Sequence, residues 1–141
     1  MRTTQNAERG AKSVPRYILA AVALVFGAAT IKAGGDVLFF SEQARSAAGN
    51  YVPFVLWGNF IGGFLYVAAG LLLLFKSPHA PRLAIFIAAT TLAALIALGI
   101  HIAVGGAYEA RTLAAMGFRS ALWGVIAFVL LRSERLSRRL L

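Results

Sequence analysis

The chain contains no cysteine, which removes disulfides, thiol nucleophiles, iron–sulfur clusters and cysteine-bound zinc from consideration, along with four-helix membrane redox proteins that work through a Cys pair. Acid is scarce too. Five Asp and Glu stand against fourteen Lys and Arg, and His79 and His101 are the only histidines. A metal needs several converging ligands, which two distant imidazoles do not supply, so no metal is expected. HExxH, GxSxG, GxxxxGK[ST] and paired histidines are all missing. Zinc hydrolysis, serine hydrolysis, nucleotide hydrolysis and bis-histidine haem therefore lack their usual parts. An enzyme would have to run on His101, Tyr108, Glu109 and Arg119, and no catalytic residue is assigned.

Charge is also missing from long stretches. The chain is 60% hydrophobic and 13% charged, with a mean hydropathy of +0.76, whereas a soluble domain is nearer half apolar. Most of the basic residues fall into three groups: Arg2, Arg9, Lys12 and Arg16; Lys76 and Arg82; and Arg132, Arg135, Arg138 and Arg139. Between them lie four runs, at about 17–36, 53–75, 81–104 and 112–131, each suited to crossing a bilayer core of about 30 Å as helix. The first can extend through Lys32, Gly34, Gly35 and Asp36 to Phe40. The expected fold is all-α, an integral membrane four-helix bundle over 17–131 between basic tails 1–16 and 132–141.

The basic groups alternate with the runs, so the positive-inside rule predicts a multi-pass protein of a bacterial inner membrane with both termini cytoplasmic. The first run is expected to stay in place and not to be cleaved as a signal peptide, because no A-x-A site follows it and its loss would upset the alternation. The formal charge of +9 does not indicate nucleic acid, since these residues flank spans and form no aromatic-interleaved patch. Anionic lipid headgroups suit them better, and residues 132–141 read as a short interfacial helix.

In lipid, helices associate through close backbone approach, so small residues should mark the seams. Gly58 with Gly62, Gly27 with Gly34, and Gly117 with Gly124 are the candidates, and Asn59, Gly63, Tyr66 and Gly70 share one helical face. Tyr51, Trp57, Tyr108 and Trp123 suit an interfacial aromatic belt. Ile31, Gly34 and Gly35 echo Ile102, Gly105 and Gly106, the spacing expected of a parallel repeat of the kind transporters use.

Ionisable residues inside spans are costly, and here they collect in the outer half. Lys32 and Asp36 are four residues apart and can pair on one helical face. Asn59, His101, Tyr108, Glu109, Arg111 and Arg119 complete the layer, and Arg111, Ala115, Arg119 and Trp123 form one stripe. One reading is a polar pocket open to the outer face, with Arg119 as its deepest charge, Asp36 and Glu109 as counter-charges and His101 as the proton-handling group. The other is that Lys32–Asp36 and Arg119–Glu109 are structural ion pairs closing the bundle.

The layout of residues 18–104 resembles the DoxX-like group of small four-helix bacterial membrane proteins. The resemblance is carried by the glycine-containing first helix, Pro53 in the outer connection, the run from Gly63 through Tyr66 and Gly70 to Leu74, a short basic turn, and an alanine-rich third helix ending in His101. It implies an inner-membrane helical bundle, in some members linked to quinone or thiol-redox partners, and it carries over no catalytic residues. Three functions follow as expectations: an accessory or scaffold subunit of a membrane complex; a transporter or small-ligand-binding protein using the outer pocket; and a quinone-linked oxidoreductase component. Quinone is the only cofactor suggested. The partners expected are the bilayer, a second copy of the chain or a larger membrane protein.

Overall fold

The computed structural model of the chain describes the backbone of residues 2–139 and the side chains of residues 15–135. Helix α1 (Arg2–Gly35) runs directly into a π-helical turn (Asp36–Phe40), followed by a short α2 (Glu42–Ala48), then α3 (Pro53–Leu74), α4 (Ala80–Ala103) and α5 (Ala110–Arg139). Four segments, Pro15–Phe40, Pro53–Leu74, Ala80–Ala103 and Ala110–Arg135, are long and apolar enough to cross a membrane. Among the described residues there is no strand. Successive spans reverse direction, so both chain ends and the α3–α4 turn lie at one end of the bundle, the tail end. The α1–α3 and α4–α5 connections lie at the other, the α2 end.

Span boundaries fall within a few residues of those the sequence suggests, but the tails differ. The basic N-terminal segment is helical from Arg2 onward, and residues 132–139 continue α5 without a separate interfacial helix. No glycine or proline interrupts the chain after Gly124, so nothing stops the helix there. Leu140 and Leu141 lie outside the described residues.

The bundle is two helix pairs, α1 on α3 and α4 on α5. The first is closed through glycines. A Cβ on Gly27 would come within 2.8 Å of Val67, one on Gly63 within 2.7 Å of Ile31, and one on Gly70 within 2.7 Å of Leu24. Gly34 lies against Phe60. The other candidate seams are not seams: a Cβ at Gly58, Gly117 or Gly124 would meet nothing within 4 Å, and at Gly62 would meet only Tyr66 of its own helix.

Large side chains, not backbones, join the pairs. Trp123 is fully buried and packs on Tyr66 with ring centroids 4.9 Å apart, and Tyr66 stacks on Phe26 at 5.7 Å. Trp123 therefore belongs to the core and not to an interfacial belt, because its stripe on α5 faces the bundle axis. Tyr51, Trp57 and Tyr108 are exposed. Ala20, Ala23, Ala69, Leu73, Ala84, Ile87 and Ile126 complete the tail-half core, while Val52, Val55, Leu98 and Met116 form a smaller one toward the α2 end.

Helix ends are satisfied by a short list of groups. At the tail end, Arg16 donates to the carbonyls of Leu73 (3.0 Å) and Ser77 (3.2 Å). There α3 closes with a paired turn, Ser77 N–H to Leu72 O and Lys76 N–H to Leu73 O, and Lys76 takes the left-handed position at φ 53°. The same motif ends α4, with Gly106 N–H on His101 O and Gly105 N–H on Ile102 O, and Gly105 at φ 86°. Gly35 has helical φ −64°, so α1 continues where α4 stops, and the echo between the two Gly-Gly pairs does not extend to their conformation.

Candidate functional site

The site begins at the end of α1. The amide of Ser41 reaches back to Asp36 O at 2.8 Å, a wide π turn of the kind that recurs at functional sites. The Ser41 hydroxyl then accepts from Ala44 N–H at 3.0 Å and caps α2. Arg45 folds back onto the last carbonyls of the π turn, Val37 O and Leu38 O, at 3.3 and 3.4 Å. Glu42–Ala48, between the first two spans, thus form a short helix at the bundle end.

Two residues at the start of α5 hold α2 there. Arg111 donates to Ala47 O, and a Glu109 carboxylate oxygen accepts from Asn50 N–H at 2.9 Å. Gly49, at φ 63°, makes this approach possible, since a Cβ there would lie 2.5 Å from the same Glu109 oxygen.

Beneath α2 is a cavity of about 550 Å³, within the range of small-molecule sites. Its wall is mainly apolar, from Ala33 and Val37 of the first span, Ala44, Ala47 and Ala48 of α2, Val55 and Leu56 of α3, and Ala115 of α5. Asp36, Tyr51, Asn59, Arg111 and Thr112 supply its polar groups. No α4 residue lines it, so the polar layer is built by three spans and α2, not by four spans.

Arg119 lies one helical turn beyond Ala115, is 8% exposed and is not part of the cavity wall; it stands behind Asn59, which is. Nη1 donates to Asn59 Oδ1 at 2.6 Å and to Met116 Sδ at 3.4 Å, and the guanidinium sits over the rings of Phe26 (5.5 Å) and Tyr66 (6.0 Å). Its Nε has no protein partner, nor do the neighbouring buried Ser120 Oγ and Trp123 Nε1. An intramembrane arginine costs at least about 2.5–3.5 kcal/mol on insertion scales. Contacts of this type with aromatic faces return about 0.5–2 kcal/mol and the charge-assisted bond to Asn59 about 1.5–3 kcal/mol, so the cation is held by neutral groups and not by an anion.

The expected Arg119–Glu109 pair does not form. Ten residues of helical rise, about 15 Å, separate the two, and Glu109 is committed to the α2–α3 connection. Among the described residues the only ion pairs are Lys32–Asp36 and Glu42–Arg45, so neither Arg111 nor Arg119 has a carboxylate partner. Lys32–Asp36 forms as the spacing suggests, with Lys32 largely exposed and outside the cavity wall.

His101 and Tyr108 are not part of the pocket wall. The His101 Nε2 lies 3.1 Å from Ala107 O, which only accepts, so Nε2 carries the hydrogen in this bond. Its ring covers Gly106, which makes it a brace for the α4–α5 turn. Because α4 ends at Ala103, Tyr108 and Glu109 do not continue its face. Among the described residues no group of three or more His, Asp or Glu is placed to hold a metal ion.

Sequence reasoning missed Met116 and Phe26 as neighbours of Arg119. Met116 was signalled by its position one turn before Arg119. A second opening, between α3 and α4, was also missed. It measures about 230 Å³ and is lined by Gly58, Asn59, Gly62, Tyr66, Thr91 and Met116 among others, so Asn59 borders both spaces. No family model matches the chain, and neither does any curated protein or solved structure.

Proposed function

We propose that this is a small-ligand-binding membrane protein, serving capture or transport, whose pocket beneath α2 takes an anion. The observation that carries the reading is Arg119, a buried guanidinium set behind Asn59 of the cavity wall, with an unpartnered Nε and, among the described residues, no carboxylate within ion-pair distance. Arg111 on the cavity wall adds a second cation whose bonded partner is a neutral carbonyl, and the apolar remainder of the wall suits the body of a small organic acid. The same reading sets the tail end in the cytoplasm and the pocket toward the outer face of a bacterial inner membrane, supported by the basic residues gathered at the tail end. Kinship with the DoxX-like group rests on the layout of residues 18–104. An accessory role in a membrane complex is the second reading, favoured by Gly117 and Gly124, where α5 leaves room for a partner helix.

The test is a titration of the purified full-length chain in mild detergent with benzoate and with inorganic phosphate, comparing wild type with Arg119→Met. Saturable binding weakened at least tenfold in the variant is expected, with helical circular dichroism retained and a stability loss no greater than one charge-assisted hydrogen bond, about 1.5–3 kcal/mol, since Asn59 Oδ1 loses its donor. Absence of saturable binding, or a fall in stability with binding intact, would overturn the proposal. A protein that co-purifies stoichiometrically with such a ligand-free chain would establish the accessory role.

A further inference from the structure

The cleft between α3 and α4 gives the ligand a more specific shape. Its mouth is formed by Ile61 and Phe86, each more than half exposed on the surface that faces lipid. Inside, the polar groups gather at one place. Asn59 and Met116 line the cleft and are the two side chains bonded to Arg119 Nη1, so they stand between the cleft and the guanidinium. Tyr66 lines it too, with its hydroxyl beside Gly62.

The cleft is open because side chains are missing. Gly58 and Gly62 form part of its wall, yet no helix presses on them: a Cβ at Gly58 would meet nothing, and one at Gly62 only Tyr66. Glycine there is not a packing requirement, unlike Gly63 and Gly70 on the side of the same helix that meets α1. What the two glycines provide is an apolar slot that ends at Asn59 and Met116, the side chains bonded to the buried Arg119.

We infer that the anion this site takes includes an amphiphile with a single apolar chain, its head at the Asn59 amide that borders both spaces and is backed by the Arg119 charge, and its chain lying in the α3–α4 cleft, which it enters from the bilayer. This rests on the reading of Arg119 as an anion site. Charge complementarity fixes the head, and a slot less than half the volume of the cavity beneath α2 suits one chain and not two. Because lipid is as apolar as the slot, moving the chain from one to the other gains little. Recognition therefore lies in the head, and the chain sets the route.

The experiment uses the full-length chain in neutral phosphatidylcholine nanodiscs, photolabelled with a diazirine-bearing palmitic acid or the matched palmityl alcohol, with labelled sites mapped by peptide mass spectrometry. The acid is expected to label residues 58–66 and 86–94. Labelling there should fall at least fivefold with the alcohol, with Arg119→Met, and with Gly58→Leu, whose Cβ would meet nothing within 4 Å and whose side chain would occupy the slot. Asn59→Leu is the substitute should Arg119→Met lose its helical circular dichroism. Benzoate binding, measured in parallel, should be lost with Arg119→Met and retained with Gly58→Leu. Equal labelling by acid and alcohol, or labelling indifferent to Gly58→Leu, would mark ordinary boundary lipid and overturn the inference. With benzoate binding intact, that outcome leaves the pocket reading standing; with benzoate binding absent as well, both fall.

Discussion

In the tail half of the bundle, Phe26, Tyr66 and Trp123 stack in series, and alanines at 20, 23, 69 and 84 let the helices close around them. In the α2 half the same helices surround a cavity of about 550 Å³, and their contacts run from Arg111 and Glu109 to backbone groups of Ala47 and Asn50 and from Arg119 to the Asn59 side chain. In lipid there is no hydrophobic drive between helices, so a half that is to close must do so through small residues and dense packing. A half that is held apart needs polar ties. The division falls near Arg119, with the closed layers on one side and the space on the other.

Adding a side chain should therefore be ruinous in one half and tolerated in the other. The largest effect is expected for Gly70→Leu, whose first carbon would already lie 2.7 Å from Leu24 and 3.1 Å from the Ala20 carbonyl. Overpacking usually costs about 1–3 kcal/mol, and contact with backbone leaves little room to relax. The variant should lose its monodisperse gel-filtration peak and its cooperative melting in detergent. If it melts like wild type, the tail half is not the closed part of the molecule.

Gly49→Ala should cost about 1–2 kcal/mol from its left-handed backbone alone, and the new methyl would push against Glu109. That cost falls on the α2 anchor, so hydrogen exchange should rise at residues 42–51 while α3 and α4 stay protected. Lys76→Gly is expected to act the other way. Lys76 holds a left-handed position at the end of α3, and glycine should raise stability by up to about 1 kcal/mol, less whatever the Lys76 contact with the Tyr17 ring supplies. A drop on chemical denaturation would show that contact to outweigh the backbone. The smallest stability change is expected for Ala115→Leu, within about 0.5 kcal/mol, because its side chain points into the cavity wall. Benzoate binding should nevertheless weaken at least fivefold, which separates filling the space from damaging the fold.

The four spans were legible because their hydrophobic length and basic flanks are set by the bilayer and not by tertiary detail. The face made by Asn59, Gly63, Tyr66 and Gly70 was legible for a related reason: helical periodicity alone groups them, and Gly63, Tyr66 and Gly70 are buried. Other glycines misled, since Gly58, Gly117 and Gly124 have the same spacing as true seams and differ only in what stands opposite. The pairing of charges was not legible either. Arg119 and Glu109 look complementary in sequence, but the paired turn at Gly105 ends α4 early and sends Glu109 to the Asn50 amide. Helix α2 was hidden because seven residues, Glu42–Ala48, leave no periodic signal, and their stability comes from Ser41, Arg45 and Arg111.

The glycine contact between α1 and α3 also bears on how the molecule is made. These are successive spans, so their pairing needs no later part of the chain and is available as soon as the second span has entered the bilayer. Helices α4 and α5 follow as a second hairpin and dock through Trp123 and Met116. Only that last docking brings Arg119 to Asn59 and Arg111 to Ala47. A chain halted after its first hairpin would thus hold its tightest joint and lack both the α5 wall of the cavity and the Arg119–Asn59 bond.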